Sequence, residues 1–193
     1  ANLDFHIVKR IRNQIAKSGD RIALKHKVGD MWNGISWKQF GQQVDALSLA
    51  LLDQGIRVQD KIGIFSNNMP QWTVADFASL QLRAVTVPIY PTNTAAQSAY
   101  ILQNADVRIL FVGEQPQFDA AVSIFDECEQ LELIVAMSDD IDIGDHPSAM
   151  RRHANLTRDF LCWILTRKIS FNRRVLITRC AFGREYLWQR IDT

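Results

Sequence analysis

KIGIFSNNMPQWTVADFASLQLRAVTVPIYPTNTAAQSAYILQNADVRILFV, residues 61–112, carries the pattern from which the fold can be read. Its short apolar runs, KIGIF at 61–65, VTV at 85–87 and RILFV at 108–112, are followed by ELIVAM at 132–137, and their starts lie 23 or 24 residues apart. Between them the apolar spacing is helical: 70–84, after the cap candidate Asn68 and with Trp72, Phe77 and Leu80 inward, then 95–103, then 117–130. Strand, helix, strand at this spacing is the βαβ unit, whose crossover makes successive strands parallel. Strands that are apolar throughout need helices on both faces. The spacing therefore predicts an α/β fold, a partial doubly wound and mostly parallel sheet with flanking helices.

Toward the N-terminus the periods change. Phe5, Val8, Ile11 and Ile15 recur at helical intervals, and Ser18, Gly19 and Asp20 supply a stop. Short strand candidates at 22–27 and 31–35 surround the turn pair Gly29 and Asp30 and predict a hairpin. Ser36 is placed to cap a helix from Trp37, with Phe40, Val44, Leu47 and Leu51 on one face and Gly55 past its end. An N-terminal helix and hairpin thus precede the sheet.

Ligands of open α/β sheets bind beyond the carboxyl ends of the strands, which directs attention to the loops 66–69, 88–94 and 113–116. In VPIYPTNT, 87–94, two prolines with locked φ angles stiffen the exit. A rigid strand exit that only positions the next helix is the better reading, with a binding loop as the alternative.

Chemical motifs are sparse. No Gly-x-Gly occurs among the nine glycines. Gly29 and Gly34 have the outer spacing of a P-loop, but Ile35 and Ser36 follow where Lys and Ser/Thr are needed. His6, His26, His146 and His153 share no ligand spacing with one another or with Cys128, Cys162 and Cys180. In DDIDIGDH, 139–146, a calcium loop would place Ile141, Ile143 and Met150 at ligand positions, so a solvated acidic linker is the better reading. No Gly-x-Ser-x-Gly elbow is present. No catalytic, cofactor-binding or metal-ligating residue is nominated.

The 193 residues carry 22 Lys and Arg against 21 Asp and Glu, a total with no electrostatic case for nucleic acid or an anionic membrane. The balance is uneven, with 12 basic and 18 acidic residues in 1–150 but ten basic and three acidic in 151–193. The longest clean apolar run, FLCWIL at 160–165, is far short of the roughly 20 residues of a membrane span. The N-terminal stretch lacks the apolar core of a signal peptide, and three widely spaced cysteines suit a reducing compartment. A cytoplasmic location is expected, with peripheral membrane association left open.

Residues 21–114 closely resemble the N-terminal part of long-chain fatty acid:CoA ligases of the adenylate-forming, AMP-binding superfamily. SWKQF at 36–40, SNNMPQW at 66–72, AVTVPIYPTNT at 84–94 and AYILQNAD at 99–106 follow in the family's order and spacing. More loosely, the resemblance runs from about residue 4 to about 137. It implies an acid–thiol ligase that uses ATP and Mg²⁺ to form an acyl-adenylate from a fatty acid and then a thioester with CoA. The family's Gly/Ser/Thr-rich phosphate loop ending in Pro-Lys-Gly, and its later motifs, have no counterpart here, so no catalytic residue is carried over.

The division expected is therefore 1–146, an incomplete N-terminal α/β portion of such a ligase, and 147–193, an Arg-rich tail. Nine Arg with two Cys and two Trp in 151–193 is a composition that out-of-frame translation could give; a genuine basic, aromatic tail is the alternative. A truncated fragment, inactive alone and needing no cofactor, is the leading functional expectation, with fatty acid and CoA as the family's substrates and no nucleic acid. The competing reading is a non-catalytic α/β binding module whose basic tail contacts an acidic partner or nucleic acid.

Overall fold

The structure, a computed structural model, describes residues 6–143 and the backbone of two short strands, 152–153 and 176–179. Helix α1 (Ile7–Ser18) leads into the antiparallel hairpin of β1 (Ile22–Val28) and β2 (Met31–Ser36). Gly29 turns that hairpin at φ +58°, a left-handed conformation that glycine adopts without steric cost.

Helix α2 (Trp37–Asp53) begins where the sequence places it. Ser36 Oγ accepts from the Gln39 N–H at 3.2 Å, and Gln39 Oε1 accepts from the Ser36 N–H at 2.9 Å. This reciprocal capping box satisfies two of the helix's orphan donors. Phe40, Val44, Leu47 and Leu51 are all buried, and Gly55 follows the helix at φ +80°.

The main sheet contains β3 (Lys61–Phe65), β4 (Val85–Ile89), β5 (Val107–Val112) and β6 (Leu133–Ala136), all parallel, in the order β4-β3-β5-β6. The backbones of β7 (Arg152–His153) and β8 (Leu176–Arg179) extend it, β8 pairing with β6 and β7 with β8, again parallel. Side chains alternate between two cores. Ile62, Ile64, Ile109, Phe111, Leu133 and Val135 pack on the face of α2 and of α3 (Pro70–Gln81). Phe65, Leu110, Val112, Ile134 and Ala136 pack on that of α4 (Ala95–Asn104) and α5 (Gln115–Ser123). Both faces are covered, which is why the strands carry apolar side chains on both sides and keep Lys61 and Arg108 to their amino ends. The fold is α/β, as the spacing predicts.

Several boundaries differ from the sequence reading. Met69, not Asn68, is the N-cap of α3, extended before Pro70 because a residue preceding proline is pushed out of the helical region. Helix α3 stops at Gln81, with Arg83 in the left-handed region at φ +59°, and its deepest side chains are the small Val74, Ala75, Ala78 and Ser79; Trp72 and Phe77 are half-buried at the rim of the core. Small residues let α2 approach. The single Ser48 O–H is shared between Val44 O (2.8 Å) and Ala78 O (3.1 Å) while Oγ accepts from Gln81 Nε2, tying the two helices.

The helix expected at 117–130 starts earlier and ends at Ser123, followed by a 3-10 turn at Phe125–Glu127. Pro116 fits its first turn because that N–H needs no partner in any case. Pro88, expected in a loop, lies within β4 opposite Ile64; β4 is an edge strand, so the missing donor breaks no ladder. The acidic stretch is not simply a solvated linker. Ile141 and Ile143 are buried in the α4/α5 core, and the Gln115 side chain both donates to Asp142 O (3.1 Å) and accepts from its N–H (2.6 Å).

At the amino ends of the strands, Arg108 spans three partners. Its guanidinium holds Glu132 through two bonds of 2.9 Å, Asp60 at 2.6 Å and Gly55 O at 3.1 Å. Its pKa is raised chiefly by the hydrogen bonds to Glu132, against the opposing effect of partial burial. Replacing it leaves Asp60 and Glu132 without their shared cation. Arg108→Leu is expected to cost about 1.5–3 kcal/mol, the range for charge-assisted hydrogen bonds, and Ser36→Ala about 1 kcal/mol, both read as lowered urea midpoints with unchanged slope.

Candidate functional site

The chain runs from β3 outward to β4 and then returns to the other side of β3 as β5. Strand order thus reverses between β3 and β5, and the crevice beyond the carboxyl ends of such a pair is where open α/β sheets receive ligands. All three loops nominated from sequence lie along this edge. They are also stitched together. Asn67 Nδ2 donates to Glu114 Oε2 at 2.7 Å, joining the loop after β3 to the one after β5. Gln117 Nε2 donates to Pro91 O at 3.0 Å, joining α5 to the loop after β4.

The β3 and β5 exits meet at close quarters. The Gly113 N–H donates to Phe65 O at 3.1 Å, and a Cβ placed on Gly113 would lie 2.6 Å from Ser66 Cβ and 3.2 Å from Ser66 Cα. Ser66 is buried and donates to Asn67 O at 2.7 Å, with Met69 Sδ at 3.2 Å. The loop after β4 is set by a turn bond from the Asn93 N–H to Tyr90 O and by a second capping box, Thr94 with Gln97, at the start of α4. Tyr90 stands exposed beside it.

Gln117 and the Thr94 capping box are not among the features nominated from sequence. The Thr-x-x-Gln spacing is a readable signal for the second. Nothing in Gln-Pro-Gln marks the first, whose role depends on where the loop after β4 arrives. Gln117 is buried, and its Oε1 has no donor among the described residues.

The chemistry of this edge is distinctive in its charge. Segments 66–69, 90–94, 113–117 and 137–143 contain no Lys or Arg, whereas Glu114, Asp139, Asp140 and Asp142 are exposed carboxylates. Among the described residues no group of three His, Cys, Asp or Glu is placed to hold a metal ion. Of the cysteines, Cys162 and Cys180 lie outside the described residues; Cys128 is a buried free thiol whose pKa is raised by burial and then by the Glu127 charge, with a smaller opposing hydrogen bond from Gln103.

The sequence model of the AMP-binding enzyme family matches residues 11–164. The chain belongs to that family. The match runs beyond residue 147, where the charge balance of the chain changes, and so past the motifs that carry the resemblance. Among relatives, the long-chain-fatty-acid–CoA ligase ACSBG2 of Xenopus laevis is 29% identical over 127 residues, covering 66% of this chain and 17% of that protein. The long-chain-fatty-acid–CoA ligase FadD15 of Mycobacterium bovis is 33% identical over 92 residues, covering 48% of this chain and 15% of its own. The chain therefore spans about one sixth of the length of the curated relatives it matches. Among solved structures, the anthranilate CoA ligase AuaEII in complex with anthranoyl-AMP shares the fold with a TM-score of 0.67 at 19% identity, over 90% of this chain and 31% of that one. A ligase described as a putative long-chain-fatty-acid CoA ligase from Rhodopseudomonas palustris gives 0.63, also at 19%, over 72% of this chain and 34% of its own.

In this AMP-binding family member the close approach at Gly113 is a sharp test of the switch-point geometry. Gly113→Ala is expected to lower stability by about 1–3 kcal/mol, the cost of overpacking, and Ser66→Gly in the same chain to recover part of it, measured by urea denaturation. Cys128 is expected to resist alkylation at neutral pH and to react fully in denaturant, as peptide mapping after iodoacetamide treatment would show; rapid native labelling would contradict its burial.

Proposed function

We propose that residues 1–146 form the first α/β portion of an acid–thiol ligase that activates a fatty acid with ATP and passes the acyl group to CoA. The observation that carries this reading is the family match over 11–164 together with the long-chain-fatty-acid–CoA ligases among the relatives. The chemistry requires ATP because a free carboxylate is a poor electrophile. Attack of the carboxylate on the α-phosphorus expels pyrophosphate, and attack of the CoA thiolate on the resulting acyl-adenylate expels AMP.

The strand-end segments within residues 66–143 do not fit the nucleotide. Phosphate recognition calls on cations or on several convergent N–H donors, and the strand-end segments offer four carboxylates and no cation. Asn67 and Glu114 are already committed to each other. In this reading the α/β portion is a scaffold, and the phosphates of ATP are held by other parts of a ligase.

Two experiments test it. The 193-residue chain with ATP, Mg²⁺, oleate and CoA is expected to give no fatty-acid-dependent AMP above the blank, since loss of a set of transition-state donors removes several orders of magnitude in rate. A chimera in which this chain's 1–143 replaces the matching segment of a FadD15-type ligase is expected to keep measurable fatty-acid-dependent AMP formation. A folded but inactive chimera would sink the scaffold reading.

A further inference from the structure

The near-neutral total conceals a division inside the described region. Residues 6–38, which build α1 and the hairpin, hold eight basic side chains (Lys9, Arg10, Arg12, Lys17, Arg21, Lys25, Lys27 and Lys38) and two acidic ones, Asp20 and Asp30. Residues 39–143, the rest of the fold, hold four basic and fourteen acidic. Each of the two parts is contiguous in the chain.

The basic part also bears a concentration of exposed large apolar side chains. At the hairpin tip Val28 is 54% exposed, Met31 71% and Trp32 68%, and Ile22 near its base is exposed as well. The register explains the layout. Leu24 and Ile35 face each other and reach the core, whereas Val28 and Met31, paired further out on the hairpin, project beyond it. Trp32 stands opposite Lys27, and Lys25 opposite Gly34, with both lysines exposed. Ile22 packs over Gly34, whose missing Cβ makes room for it.

Trp32 shares one face of the hairpin with Lys25 and Lys27, and Val28 and Met31, opposite each other, share the other, so the tip entering end-on presents an indole, two ammonium groups and two aliphatic side chains, the composition of a membrane-interface anchor. The indole sits at headgroup level, the aliphatic side chains enter the acyl boundary, and the ammonium groups meet lipid phosphates. We propose that the β1–β2 hairpin, assisted by the positive charge of residues 6–38, docks this protein on an anionic phospholipid surface. Residues 39–143, with four basic and fourteen acidic side chains, are disfavoured at the same surface, which leaves residues 6–38 as the part of this region that faces the lipid. Asp30 at the turn is the one acid at the tip, and it lies 3.7 Å from Lys27 Nζ.

The test uses the full chain and sedimentation with vesicles of phosphatidylcholine alone or mixed with phosphatidylglycerol. Binding is expected only to the anionic vesicles, weakening as salt rises. Lys25→Glu with Lys27→Glu is expected to lower the partition coefficient at least about tenfold, since each basic residue near such a surface contributes appreciably. Met31→Ser with Trp32→Ser is expected to lower it comparably. All four positions are exposed, and thermal melts by circular dichroism would verify that the variants fold. Wild-type fluorescence should be quenched by brominated lipid and lose that quenching in Trp32→Phe. Undiminished binding in both double variants would assign the lipid contact to the Arg-rich 151–193 instead and overturn the proposal. So would equal binding to neutral vesicles, no binding to anionic ones, or a concentration-dependent dimer that the Met31/Trp32 variant abolishes without any lipid binding.

Discussion

At the carboxyl ends of β3 and β5 the backbone leaving the sheet at residue 113 passes so close to Ser66 that no side chain fits between them. Gly113 also returns a hydrogen bond to Phe65, so the two strands separate only after their last residues are paired. That contact fixes where the two central loops begin. From it follow the reach of Asn67 to Glu114, the start of α5 at Gln115, and the placement of Gln117 beneath Pro91. The architecture of the whole carboxyl edge depends on one residue having no Cβ.

The two ends of the sheet are chemically unlike. Arg108 gathers Asp60, Glu132 and the Gly55 carbonyl at the amino ends, a partly buried network in which each lone pair used has a charged donor. At the carboxyl ends the bonds are between neutral amides, hydroxyls, carbonyls and the carboxylates of Glu114 and Asp140, with no cation in any of the four loop segments. The cation that binds the first end is therefore internal, and the four loop segments at the second offer none. An edge of this kind can shape a crevice and orient the helices around it, while attraction for a polyphosphate must come from elsewhere.

Much of this was legible from residues. The strand spacing, the Ser36 cap and the Gly29 turn each state a local preference that the tertiary structure also needs, and agreement between levels is what makes a pattern readable. The helix ends were harder. Arg83 and Asp106 occupy left-handed positions that a sequence reader assigns to glycine, so α3 carried no visible stop. Pro88 resembled a loop residue because its tolerance depends on β4 being an edge strand, a fact of topology and not of local sequence. Likewise, Ile141 and Ile143 looked solvated among aspartates, and only the α4/α5 core shows where they are buried. The loops that meet at the switch point were identifiable; the Gln117 link between them was not, since it joins segments 26 residues apart.

The order in which β3 acquires its neighbours also bears on synthesis. As the chain leaves the ribosome, β3 can pair at once with β4 through the short α3 crossover, but its other edge must wait until β5 emerges about 40 residues later. At about 5–20 residues per second this is an interval of some seconds, during which an apolar strand edge is open to the wrong partner. Helix α2, made earlier, covers one face of β3 but leaves that edge free. The nascent protein thus has a defined window of vulnerability, opened by the reversal of strand order and closed when β5 inserts.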